Sequence, residues 1–158
     1  MKAVRFGIVA AVVALGAISQ TRWAPRKGPT PSSDKERFIG AWHLASMAAA
    51  DGKPVTTNPP LGMLIYTRDG HVSVQLMYPK SANALSNEYV QNGYEASFGS
   101  YDVNEGTHTV THHVHGSNTR DLLVGKNLPR IYRFTVEGHL VIKSARPDEH
   151  WSVTWEHY

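Results

Sequence analysis

The sequence predicts an all-β domain, an eight-stranded antiparallel up-and-down barrel preceded by a signal peptide and a linker. Three observations predict it. From Phe38 onward short segments of alternating polarity recur, and no helical period is sustained beyond about ten residues. Turn residues that tolerate positive φ separate successive segments at hairpin spacing. The length, 158 residues, suits one core and rules out a two-domain enzyme.

At the front, Lys2 and Arg5 precede an uncharged run of thirteen residues, 6–18, with the small residues Ala17 and Ser19 in an A-x-S arrangement across its end. This pattern reads as a signal peptide over 1–19, because a membrane span needs about 20 apolar residues. The expected location is secreted or periplasmic, with an uncleaved, membrane-tethering segment as the alternative and no stable membrane span after cleavage. Residues 20–35 carry three prolines, two serines and several charges without an apolar period, so they read as a linker. The barrel domain is expected over 36–158.

Eight segments follow, at 40–48, 62–67, 71–78, 96–104, 107–117, 130–136, 139–145 and 151–157. Arg68-Asp69-Gly70, Asn104-Glu105-Gly106 and Glu137-Gly138 supply hairpin turns, and Arg146-Pro147-Asp148-Glu149 joins the last two segments. Neighbour pairing of this kind leaves two sheet edges, which closure into a barrel removes. An eight-stranded barrel has room for side chains and one small ligand. The longer connections 79–95, with a short helix or flap over 84–91, and 117–129 are placed to border a barrel mouth.

Alternation assigns Val72, Val74, Leu76 and Tyr78, then Tyr132, Phe134 and Val136, then Leu140 and Ile142, then Trp151, Val153 and Trp155 to the interior. Charge supports a protein that does not bind nucleic acid. Six of the sixteen Lys and Arg residues lie within 1–35, leaving ten bases against twelve acids in the rest. Zero cysteines exclude disulfides, thiolate metal sites and thiol nucleophiles. No strained serine turn of the G-x-S-x-G type, paired inward carboxylates or phosphate-binding loop is found, and no cofactor is expected.

Gly40-Ala41-Trp42 opens the first segment as a G-x-W signature. The stretches 62–77, 98–103 and 109–114 with Gly116-Ser117, and Thr154-Trp155-Glu156, resemble the bacterial and fungal lipocalin-like domain family of the calycin superfamily. The resemblance implies an up-and-down barrel with an apolar cavity and Trp42 plugging its closed end. It implies no particular reaction, because the wider superfamily contains carriers as well as small isomerases, cyclases and lyases.

Four of nine histidines crowd into the fifth segment. His108 and His112 share the face of Val110 and Val114, while His113 and His115 share the opposite face. His112 is therefore the candidate catalytic or ligand-orienting group. His113 and His115 could supply two metal ligands but lack a third, so no metal site is assigned. Val74, Leu76, Tyr78, Tyr101, Tyr132 and Phe134 are the candidate ligand-binding residues. The expected partner is a small hydrophobic or aromatic molecule, the oligomeric state is open, and an isomerase or cyclase using His112 for proton transfer stands as the alternative to a carrier.

Overall fold

A computed structural model describes residues 33–55, 59–79 and 87–158. The expected signal peptide, nearly all of the expected linker, and residues 84–86 of the expected flap lie outside these. A short helix α1 (Asp34–Phe38) leads into eight strands: β1 (Gly40–Ala48), β2 (Leu61–Tyr66), β3 (His71–Met77), β4 (Tyr94–Asn104), β5 (Thr109–Ser117), β6 (Asn127–Phe134), β7 (Leu140–Ser144) and β8 (Ser152–His157). Each strand pairs antiparallel with the next, and β8 pairs with β1, so the sheet closes. The fold is the predicted eight-stranded up-and-down barrel.

Helix α1 starts two residues inside the stretch read as linker. Ser33 caps it, its side chain accepting from the backbone N–H of Glu36 at 3.2 Å. The five-residue helix ends with Phe38 fully buried. Gly40 follows with φ +140°, and a Cβ there would overlap the His157 ring, so only glycine makes the turn from helix into β1.

Trp42 then lies within the barrel. Its indole N–H donates to the carbonyl of Phe38 at 2.8 Å, and its ring stacks on His157 at 3.5 Å between centroids. The helix and the first strand are thus tied together across the barrel floor.

Alternation holds along most strands. Val72, Val74 and Leu76 of β3 point inward while His71, Gln75 and Met77 are exposed. Two expected inward residues do not follow. Val136 is 99% exposed, because β6 ends at Phe134 and the chain turns through Glu137 and Gly138. His108 is exposed as well: it sits at φ +48° in the turn before β5, which begins one residue later. In β4 and β5 a register shift beside Gly99 brings the strands so close that a Cβ at 99 would collide with the His113 carbonyl.

The two ends of the barrel differ. At the end where α1 enters, Phe38 makes edge contacts with Tyr66, Tyr132 and Phe134 at centroid distances of 5.0, 4.9 and 5.3 Å. Aromatic rings meeting edge to face fill space well and add to the area they bury. This end is packed shut. The other end, formed by the last residues of β1 and β3, the first residues of β4 and β6, and the connections outside them, holds a cavity.

Candidate functional site

The cavity measures about 280 Å³. Its wall is built from inward positions of the strands: Leu64 from β2, Val74 and Leu76 from β3, Ile142 from β7, Val153 and Trp155 from β8. Connections form the rim, with Val55 after β1, Tyr89 and Val90 before β4, and Trp151 before β8. The segment 87–91 contributes through a side-chain turn, the Asn87 carboxamide oxygen accepting from the backbone N–H groups of Tyr89 and Val90 at 2.8 Å each. These described residues are not helical.

Into this apolar wall project Glu95 and Ser97 from β4, His112 from β5 and Arg130 from β6. Burying such groups is costly unless they are paired or neutral. His112 is neutral over the whole physiological range: burial, then Arg130, then His113 bring it down to about 3. Its Nε2 shares a 2.7 Å hydrogen bond with the Tyr66 hydroxyl, and burial pushes the Tyr66 phenol well up, so that hydroxyl keeps its proton. His112 borders the cavity, and its partner Tyr66 packs on Phe38 at the plugged end.

Glu95 is pushed up to about 7 by burial, with Arg130 opposing the shift. No hydrogen bond to its carboxyl and no ion pair within 4.0 Å is made among the described residues. Arg130 is 8% exposed. Its guanidinium lies 5.0 Å from the ring centroids of both Tyr89 and Trp151, and it donates to the Pro129 carbonyl at 3.2 Å. Trp151 is in turn held by its indole N–H donating to Glu149 at 3.0 Å, and Glu149 is bound by Arg146.

Of the residues singled out from the sequence, His112, Val74, Leu76 and Tyr78 all border the cavity. Tyr101, Tyr132 and Phe134 do not. They surround Phe38 at the packed end, where the Tyr101 hydroxyl donates to the Thr67 carbonyl at 3.1 Å and that of Tyr132 to Asp34 at 2.9 Å. The reason is positional: all three stand near the α1 end of their strands, and the plug formed by α1 occupies the lumen there.

His113 and His115 are on the outer surface. His113 bonds Asn127 at 2.7 Å and Asp102 at 2.8 Å, and these contacts raise its proton affinity, while His115 lies 3.3 Å from Ser100. No cluster of three or more metal-binding side chains occurs among the described residues.

Sequence reasoning missed Glu95 and Arg130. Arg130 carried a signal, since it stands two and four residues before Tyr132 and Phe134 on the same face. Glu95 lay one residue before the strand's expected start.

A family model described as a lipocalin-like domain matches residues 39–157. No curated protein matches the chain. Among the described residues no helix is long and apolar enough to cross a membrane.

Proposed function

The chain belongs to the lipocalin-like domain family, and from that premise we propose that it is an exported protein that holds one small, largely apolar molecule in the open end of its barrel. The observation that carries this reading is the cavity of about 280 Å³, walled by aliphatic and indole side chains. A dry cavity of about 150 Å³ takes up benzene, and pockets for drug-sized ligands begin near 300 Å³. The guest is therefore a molecule of one or two rings, or an aliphatic of similar bulk. Export rests on Lys2, Arg5 and the apolar run after them.

Native mass spectrometry of the protein purified from its own source is expected to reveal a co-purifying molecule of that size. Trp151 and Trp155 border the cavity and report occupancy directly. Titration with naphthalene is expected to quench tryptophan fluorescence to saturation at one equivalent. Ser97→Phe, which fills the cavity from β4, is expected to weaken that binding at least about tenfold while the circular dichroism stays that of a β-barrel. Equal binding in the variant would place the guest elsewhere and overturn the reading.

A second reading, an isomerase or cyclase in the same lumen, is favoured by Glu95. Proton transfer works best from a group whose pKa lies near the working pH. Glu95, at about 7, meets that condition, whereas His112, at about 3, is a weak base at neutrality. If the lumen moves a proton on a bound carbonyl compound, Glu95→Gln lowers turnover by roughly 10² to 10⁴ with binding little changed. His112→Gln then retains most of the activity.

A further inference from the structure

Arg130 is the feature of the cavity that a purely apolar guest leaves unexplained. A guanidinium keeps its charge and offers five N–H donors in a planar fork. Here it is more than nine-tenths buried, borders the cavity, and among the described residues gives one hydrogen bond, to the Pro129 carbonyl. Every one of the thirteen Asp and Glu residues falls within the described residues, and none comes within 4.0 Å of it.

A buried cation without an anionic partner is among the costlier arrangements a core can hold. The rings of Tyr89 and Trp151 offset part of that cost through their faces. They also orient the guanidinium as a rigid element at the cavity wall. Glu95 shares the lumen, yet burial keeps its carboxyl partly protonated at neutral pH. His112 adds no charge there. The cavity therefore carries a positive end inside an apolar wall.

We propose that the guest is an anion, a small carboxylic acid on a one- or two-ring apolar body, with its carboxylate paired to the Arg130 guanidinium and its body against Val74, Leu76 and Val153. This rests on the small-guest reading above and narrows it to a chemical class. Planar, two-point pairing of a carboxylate is what a guanidinium does best, and inside a low-dielectric pocket such a bond is stronger than in water.

Three probes of one size separate the two claims: 2-naphthoate, 2-naphthamide and naphthalene, each titrated calorimetrically into the full chain at pH 7. The acid is expected to bind at least about tenfold more tightly than the amide. In Arg130→Met, which keeps the bulk between Tyr89 and Trp151, that gap is expected to vanish while the amide still binds.

Acid and amide binding equally to the wild-type protein would overturn the anion inference and leave the small-guest reading standing. A gap that persists in Arg130→Met would overturn the role of Arg130. Binding of none of the three would overturn both, and the wild-type comparison stands even if the variant fails to fold.

Discussion

The two ends of this barrel are made from the same eight strands and solve opposite problems. At the α1 end, Phe38 is fully buried and the rings of Tyr66, Tyr132 and Phe134 close around it. At the other end, about 280 Å³ stays open beside a buried guanidinium, a carboxyl and an imidazole. The difference teaches that one sheet can pack one of its ends tightly and leave the other open. Dispersion and apolar burial hold the plugged end, while the open end gives up packing and leaves a lumen bordered by Glu95, Ser97, His112 and Arg130.

The largest expected effect comes from breaking the plug. Phe38→Ala removes a ring with neighbours on every side and is expected to cost about 3–5 kcal/mol in urea unfolding. Leu76→Ala acts at a wall with the cavity already on one side, so fewer contacts are lost and the cost is expected to fall nearer 2 kcal/mol. Equal losses at the two sites would erase the contrast between packed and open ends.

Next in size is the pH dependence of the open end, where two buried groups act with opposite sign. Glu95 has its pKa raised from 4.5 to about 7, so the folded protein binds more protons than the unfolded chain between those values. Stability from this group is greatest at acid pH and falls as pH rises through that window, by up to about 3 kcal/mol. His112 is lowered from 6.5 to about 3, so here the unfolded chain binds more protons. Its contribution is complete above the unfolded value and is lost as pH falls toward 3. From about 4.5 to 6.5 the two slopes oppose one another.

Glu95→Gln is therefore expected to make stability rise with pH across that interval more steeply than in the wild-type protein. His112→Gln is expected to make it fall. Denaturant midpoints measured at pH 4.5, 5.5, 6.5 and 7.5 check both, and profiles unchanged by either substitution would show that the lumen does not isolate these groups from water.

Smaller still is the cap of the plug. Ser33→Ala removes the acceptor of the Glu36 N–H and is expected to cost about 1 kcal/mol, read from thermal unfolding. On the outer surface, His113→Gln breaks an exposed pair with Asp102 and is expected to change stability by less than about 1 kcal/mol.

Much of the barrel was legible in the sequence because its signals are local. Glycine turns such as Arg68-Asp69-Gly70 fix hairpins, and Val72, Val74 and Leu76 announce an inward face by alternation alone. His112 was readable for the same reason, flanked on its face by Val110 and Val114. What alternation could not supply is where along the barrel axis an inward residue ends up. Tyr101, Tyr132 and Phe134 share a face with residues that border the lumen, yet they surround the plug. The plug itself, Asp34–Phe38, is too short to show a helical period. Glu95 and Arg130 escaped because charge argues for a surface position, and only the closed sheet turns them inward against that preference.

The most direct measurement is two-dimensional NMR of the full chain titrated with 2-naphthoate. Shift changes are expected at Ser97, His112, Arg130 and Trp151, saturating together, while Phe38, Tyr132 and Phe134 stay unmoved. Changes confined to outward residues such as His71, His113 and His115, or spread equally over the plug, would contradict a guest held in the open end of the lumen.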